Sequence, residues 1–94
     1  MTPREALATV AACVEDDALE IRPHVRRRMR ERGFMEADLY DLLCNAEAAR
    51  SDGHDEHFRA RWFLTGKLAD GTKAELLVTI DATPFVTAFT IYWT

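Results

Sequence analysis

The chain has 94 residues, of which 48% are hydrophobic and 30% are charged, and its formal net charge at pH 7 is −4. This length and composition indicate a single domain, residues 1–94, with a modest core, and they exclude a disordered chain. No apolar run approaches the ~18 residues of a membrane span, and the opening MTPREALATV lacks the apolar block of a signal peptide. We therefore expect a cytoplasmic protein without a membrane partner.

The first helix is predicted at the very start of the chain. Thr2 is suited to the N-cap, Pro3 to the first helical position and Glu5 to closing a capping box. The acids at residues 15–17 predict its end, because negative charge is unfavourable at the C-terminal end of the helix dipole. Its apolar residues recur at the spacing of one helical face: Leu7, Val10, Ala11 and Val14.

Two more helices are predicted before residue 51. The stretch RPHVRRRMRERG, residues 22–33, holds six of the twelve basic residues of the chain. A short helix begins in it at Pro23 and ends at Gly33, with Val25 and Met29 as its apolar positions. A third helix begins near Glu36 and ends before residues 51–53. One of its faces is apolar: Leu39, Leu42, Leu43 and Ala46.

After this third helix, the apolar pattern changes to the alternation of β-strands. Alternating segments run over residues 58–68, 74–80 and 85–93, with Asp70 and Gly71 as a hairpin turn and Pro84 as a break. Three helices followed by such strands predict an α+β fold, a two-layer sandwich with the N-terminal helices packed on an antiparallel sheet of three to four strands.

The alternation also predicts two different faces of the sheet. The face covered by the first and third helices is expected to be apolar: Trp62, Leu64, Val78, Ile80, Phe89 and Ile91. The opposite face is expected to be polar and basic: Arg59, Arg61, Lys67, Thr79, Thr90 and Tyr92. Antiparallel sheets often leave one face in water. A basic face next to a tyrosine is also typical of a shallow anion-binding surface.

His24 and Arg28 are the first candidates for chemistry. They are four residues apart and therefore share one side of the second helix. An imidazole beside a guanidinium is suited to acid–base work on a phosphodiester. A half-buried histidine at the helix edge, without a chemical role, is the other interpretation.

The sequence gives little support for a metal or a cofactor. His54 and His57 lie in the acidic stretch SDGHDEH without the spacing of a metal site, so a mobile, solvated loop is expected there. Cys13 and Cys44 are predicted to be buried, reduced thiols. Gly-rich phosphate loops and the motifs of serine and zinc hydrolases are not found in the sequence.

The arginine-rich helix resembles a small prokaryotic family known only as a domain of unknown function. Its members typically show a histidine, an arginine four residues later, R-M-x-E-R-G-I-S, a D-V/L helix, a D-G hairpin and a terminal T-x-Y strand. The resemblance covers about residues 21 to 93, and it departs from the pattern at Met35, where members often have a serine. The matching positions are His24, Arg28, Met29, Glu31, Arg32, Gly33, Asp38, Asp70, Gly71, Thr90 and Tyr92.

This family in turn resembles the RelE/MqsR-like (BECR-fold) ribonucleases, many of them toxins of toxin–antitoxin pairs. The resemblance implies metal-independent cleavage of mRNA, in which the ribose 2′-OH attacks the adjacent phosphate without a cofactor. It also implies a small antitoxin partner of the zinc-finger or helix-turn-helix type, and it leaves residues 1–20 as an added N-terminal helix. The implied catalytic residues are His24, Arg28, Arg61 and Tyr92. The implied RNA-binding residues are Arg26, Arg27, Arg30, Arg59 and Lys67.

Two alternatives to an enzyme remain open. A catalytically silent module of the same fold would bind a protein partner or regulate transcription, and the acidic net charge favours it. A structural subunit of a larger assembly is indicated only by the aromatic end FTIYWT. The His24–Arg28 pair favours the enzyme.

Overall fold

The computed structural model describes residues 1–68 and 70–94. It contains three helices: α1 (Pro3–Glu15), α2 (Pro23–Arg32) and α3 (Glu36–Asn45). The strands are β1 (Leu19–Ile21), β2 (Ala48–His54), β3 (Ala60–Lys67), β4 (Lys73–Ile80) and β5 (Val86–Trp93).

The strands form one mixed sheet in the order β1-β5-β4-β3-β2. The pairs among β2, β3, β4 and β5 are antiparallel, whereas β1 pairs with β5 in parallel. The predicted α+β fold of helices on a sheet is confirmed. The sheet has five strands in place of the predicted three to four, because residues 19–21 and 48–54 add one strand at each edge.

The helix termini follow their local chemistry. Thr2 and Glu5 form the predicted capping box at the start of α1. Gly33 ends α2 with a φ of 79°, a left-handed conformation that glycine adopts at little cost. At the start of α3, the Asp38 carboxylate accepts the backbone N–H of Met35 at 2.8 Å. An acidic side chain thus stabilises the N-terminus of α3 although Met35 supplies no hydroxyl.

All three helices contribute to one core on one face of the sheet. The other face carries none of the helices formed by the described residues, and we call it the open face. The core contains residues from α1, α2, α3 and the inward-facing positions of the central strands. Its largest fully buried side chains are Leu39, Leu42, Leu43, Leu64, Leu76, Ile91, Val10, Val25, Val78 and Val86.

The structure corrects the prediction for residues 46–57. α3 ends at Asn45, and the stretch expected as the end of that helix and a mobile loop contains β2. The backbone N–H of Glu47 bonds to the carbonyl of Thr65, and Arg50 then pairs with Phe63. Pairing with the edge of β3 overrides a local sequence that has no strand-like alternation.

The structure also corrects the prediction for three side chains. A β-bulge opposite Leu77 and Val78 inserts Phe89 as an extra residue of β5, which moves its ring from the predicted core face to the open face. Phe58 precedes β3 with a φ of 62° and is 88% exposed. Cys13 is buried as predicted, whereas Cys44 is exposed.

Candidate functional site

The arginines of α2 divide into engaged and exposed groups. Val25 and Met29 are buried in the core, so α2 turns one side to the rest of the fold. Arg26 is engaged: it forms an ion pair with Glu36, the first residue of α3, and its Nη1 lies 2.6 Å from a carboxylate oxygen of that residue. Three arginines of α2 are mainly exposed to solvent: Arg27, Arg28 and Arg30.

The C-terminal end of α2 is fastened to the edge of β5. Nη1 of Arg32 donates to the carbonyl of Ile91 at 2.5 Å, and the guanidinium carbon lies 5.8 Å from the centre of the Tyr92 ring. Nε1 of Trp93 donates to the carbonyl of Arg32 at 2.9 Å, while its ring stacks on Phe34 with a centroid distance of 3.8 Å. Since β1 pairs with only the first part of β5, α2 occupies the rest of this edge.

His24, Arg28 and Arg32 follow one another at four-residue intervals along one side of α2, and we call them the α2 ladder. Arg32 places this side against the edge of β5. His24 is half-buried at the start of the helix. Arg28 is exposed and lies 3.8 Å from a carboxylate oxygen of Glu31. The predicted pair of His24 and Arg28 thus shares one side of α2, a helix that is joined to β5 through Arg22 and Arg32.

The four predicted catalytic residues do not form one cluster. Arg61 lies in the row of the open face that contains Thr79 and Thr87, whereas Tyr92 pairs with Glu75. Thr79 and Glu75 are four residues apart on β4, which corresponds to about 13 Å. Arg61 is on β3 and Tyr92 on β5, so β4 also separates them. Of the two, Tyr92 is the one close to the α2 ladder, through Arg32.

The open face is less basic than the strand pattern predicts, because acidic residues neutralise its arginines. Arg61 forms an ion pair with Asp52 of β2 at 3.1 Å. Arg59 binds Asp55 at 2.7 Å and lies 3.9 Å from Asp81. Asp52 and Asp55 belong to the stretch that was expected to be a mobile loop. Lys67 is exposed at the end of β3, next to Lys73 in register.

Sequence reasoning missed a cavity of about 230 Å³ on the open face. Its most buried polar side chain is Thr79, which is 3% exposed and whose Oγ1 has no hydrogen-bond partner in residues 1–68 and 70–94. Half-buried side chains of Arg59, Arg61 and Phe89 surround it, and the guanidinium of Arg59 lies 5.6 Å from the centre of the Phe89 ring. The only sequence signal for this site is the placement of Arg59, Arg61 and Thr79 on one predicted face.

Asp55 organises one side of this cavity. Its Oδ1 accepts the backbone N–H groups of His57 and Arg59, and its Oδ2 accepts Nε of Arg59. Burial raises the pKa of Asp55, but the hydrogen bonds from Arg59 and His57 outweigh it, so the pKa of this carboxyl lies below its usual value. Asp55 is therefore a stable anion that fixes Arg59.

The described residues include no cluster of three or more metal-ligating side chains. His54 is the last residue of β2, and His57 lies in the turn after it, with Nε2 3.6 Å from a carboxylate oxygen of Glu56. No helix in the described part of the chain is long and apolar enough to cross a membrane.

A comparison with protein families matches residues 21–93 to a domain of unknown function (DUF4258). Comparisons with curated proteins and with solved structures find no match. The matched region begins at the last residue of β1, contains the α2 ladder and every residue that lines the cavity, and ends with β5. It covers well over half of the chain, and the protein therefore belongs to the family of DUF4258 domains.

Proposed function

We propose that this protein is a metal-independent endoribonuclease of the toxin type, which cleaves mRNA and is paired with a small antitoxin protein. The observation that carries this proposal is the α2 ladder, in which a half-buried imidazole and an exposed guanidinium lie one helical turn apart on a helix that is joined to the edge of β5. The exposed side chains of Arg27 and Arg30 add positive charge on the same helix. Such a surface attracts the phosphates of RNA.

The reaction needs a base and a cation next to the scissile phosphate. The imidazole of His24 removes the proton of the ribose 2′-OH, and the oxygen forms a bond to phosphorus. Arg28 donates hydrogen bonds to the phosphorane, whose charge exceeds that of the diester. The bond to the 5′-oxygen then breaks, and water protonates this leaving group. The products are a 2′,3′-cyclic phosphate and a 5′-hydroxyl, and His24 returns its proton to solvent.

The positions of Arg61 and Tyr92 change the roles that the resemblance implies for them. Tyr92 lies beside Arg32 at the far end of the ladder, where an exposed ring next to a guanidinium suits stacking of a neighbouring base. Arg61 lies away from the ladder, bound to Asp52. We therefore assign cleavage to His24 and Arg28, and RNA binding to the exposed Arg27 and Arg30 and to Tyr92.

Cleavage of labelled single-stranded RNA by purified protein tests the proposal. We expect wild-type protein to cut in the presence of EDTA and to leave 2′,3′-cyclic phosphate ends, and His24→Ala to abolish the cut. Arg4→Ala is the matched control, because Arg4 is an exposed arginine on α1, outside the family match. Cleavage that survives in His24→Ala, or that EDTA abolishes in the wild type, would contradict the proposal.

The second candidate is a catalytically silent module that binds a protein partner. The neutralisation of Arg59 and Arg61 by Asp55 and Asp52 favours it, because an RNA-binding sheet face is usually left positive. Under this alternative, wild-type protein leaves RNA intact. Its expression would also slow bacterial growth no more than that of His24→Ala.

A further inference from the structure

We infer that the cavity on the open face is a recognition pocket for one guanine base of single-stranded RNA. This inference rests on the proposed function, which makes RNA the molecule that carries the base. The observations behind it are those of the cavity itself. We call this cavity the β4 pocket. Its volume is about 230 Å³, below the ~300–1,000 Å³ of pockets for drug-sized ligands. It has room for one planar base.

The hydroxyl of Thr79 is the first indication of a ligand. A buried hydroxyl without a hydrogen bond is unfavourable, and such groups are uncommon in folded proteins. Thr79 is 3% exposed, lines the pocket and has no partner in the described chain. A base with a polar edge that enters the pocket and displaces the side chains covering Thr79 would supply the missing hydrogen bond.

The arginines of the pocket retain donors for a ligand. Arg59 contacts Asp55 and Asp81 through Nε. Arg61 contacts Asp52 through Nη2. A guanidinium carries five N–H donors. Among the described residues, the terminal nitrogens of Arg59 and the Nε and Nη1 of Arg61 are not used in these ion pairs, so they can donate to a ligand. The carboxylates fix both side chains, which lowers the entropy cost of binding.

The remaining lining residues distinguish a base from a simple anion. Phe89 offers an aromatic face, on which any base can stack. Leu77 adds an apolar contact, and Glu56 brings a carboxylate whose side chain is 86% exposed. The lining therefore contains two cations and two anions, Asp55 included. A bare phosphate would meet repulsion from Glu56 and would leave the apolar surface unused.

Guanine is the base whose edges match these groups. Its O6 and N7 accept two parallel hydrogen bonds from one arginine, and its N1–H and N2 amino group donate two parallel hydrogen bonds to one carboxylate. Cytosine offers a donor to a carboxylate but no paired acceptors for an arginine on its other edge. We assign the arginine contact to Arg61 or Arg59 and the carboxylate contact to Glu56.

The β4 pocket and the start of α2 border the same part of β5. The carbonyl of Ala88 accepts the backbone N–H of Arg22 at 3.2 Å. Phe89, which lines the pocket, is the next residue after Ala88, and His24 follows Arg22 by two residues. A single strand that crosses the edge of β5 at the start of α2 is therefore directed towards the pocket, which would select one nucleotide of the bound strand.

Binding of two RNA heptamers tests this inference. UUUGUUU and UUUAUUU are compared by fluorescence anisotropy with His24→Ala protein, which leaves the RNA intact. We expect the guanine heptamer to bind about tenfold more tightly, the usual scale for one well-formed bidentate contact. Thr79→Val and Glu56→Gln should each remove most of this preference. Thr90→Val is the matched control, because Thr90 is on the open face but does not line the pocket.

Each result decides the inference. Equal binding of the two heptamers, or a guanine preference that survives in both Thr79→Val and Glu56→Gln, would overturn it. Guanosine 5′-monophosphate binding as tightly as the guanine heptamer would also overturn it, by assigning the pocket to a free nucleotide. A guanine preference without any RNA cleavage by wild-type protein would support the pocket while it removes the proposed nuclease. Thermal melting of each variant shows whether it is folded.

Discussion

The hydroxyl of Thr79 has opposite effects on stability and on binding. Thr79 faces the open face and is 3% exposed, and its hydroxyl has no partner among the described residues. An unpartnered hydroxyl there costs about 1–3 kcal/mol of desolvation. Valine has the same branched shape and no hydroxyl, and it is favourable in a strand.

Replacing Thr79 by valine should therefore stabilise the protein. We expect a gain of about 1 kcal/mol, which corresponds to a rise in Tm of about 4–8 °C for a domain of this size. Thermal unfolding followed by circular dichroism measures it, with Thr90→Val as the control. An unchanged or lower Tm for Thr79→Val would show that the hydroxyl already has a partner in solution.

Asp55 should make the stability of the fold depend on acid pH. Its pKa is lowered in the folded protein, chiefly by hydrogen bonds from Arg59 and His57 that outweigh the effect of burial. A carboxyl with a lowered folded pKa stabilises the fold above its unfolded pKa of about 3.9, and this contribution is lost as the pH falls through the folded value. Asp55→Asn should thus be less stable than the wild type at pH 7.

Urea unfolding of both proteins at several pH values measures this difference. The two curves should converge as the pH falls below about 4, because the wild-type carboxyl then becomes neutral as well. If Asp55→Asn lowers the stability equally at pH 7 and at pH 2.5, the effect comes from lost hydrogen bonds to the backbone and not from the lost negative charge.

At the scale of elements, the attachment of α2 to β5 depends on a few contacts at its C-terminal end. The ring of Trp93 stacks on the ring of Phe34, and its Nε1–H donates to the carbonyl of Arg32, the last residue of α2. The carbonyls at the end of a helix have no partners within the helix. The end of β5 therefore caps α2 and fixes the direction of the ladder.

Trp93→Phe should lower the free energy of unfolding by about 1 kcal/mol, the usual contribution of one hydrogen bond. The variant keeps an aromatic ring against Phe34 but loses the bond to the Arg32 carbonyl. Phe34→Leu is the complementary variant, since it removes the stack and keeps this bond. Urea unfolding measures both, and a Trp93→Phe protein as stable as the wild type would contradict a capping role.

The elements that the sequence predicts well are those with a local signal. The capping box at Thr2, the left-handed Gly33 and the alternation of β3 and β4 are each written within a few neighbouring residues. β1 and β2 are stabilised by strands distant in sequence; β1 has only three residues, and β2 does not alternate. Their pairing is a property of the tertiary fold, so periodicity does not indicate it.

The candidate site follows the same division. The side-by-side placement of His24 and Arg28 is a consequence of helical spacing and is predictable. The β4 pocket is not, because it requires the bulge that turns Phe89 outwards and the edge strand that brings Asp52 to Arg61. A one-residue bulge changes the face of a side chain, and the alternating pattern of residues 85–93 shows no sign of it.

At the scale of the whole molecule, a basic helix lies on one edge of an acidic protein. The net charge is −4, yet the stretch from Arg22 to Gly33 holds six arginines against one acid, Glu31. The acidic remainder repels RNA, so a bound strand is expected to approach along α2 and the adjoining edge of β5, from which a single base enters the β4 pocket. This distribution favours one orientation of RNA over uniform coating of the protein.

The arginines of α2 should accordingly fall into two functional classes. Arg28 acts on the phosphorane, so Arg28→Ala should lower turnover by a factor on the order of 10², as the loss of other preorganised donors does. Arg27 and Arg30 are exposed and attract the backbone through charge alone. Their double replacement by alanine should weaken binding equally for all sequences and reduce the slope of log K against log salt by about 1.4, or ~0.7 for each lost phosphate contact with a single strand.

Two measurements separate these classes, single-turnover cleavage at saturating protein and RNA affinity across a salt series. Arg27→Ala/Arg30→Ala should cleave bound RNA at nearly the wild-type rate, whereas Arg28→Ala should keep most of the affinity and lose the rate. Arg4→Ala reports the effect of removing a positive charge elsewhere. If Arg28→Ala and the double variant behave alike, with changes no larger than those of Arg4→Ala, the α2 arginines form only a solvated helix surface, because isolated exposed charges contribute little to the fold.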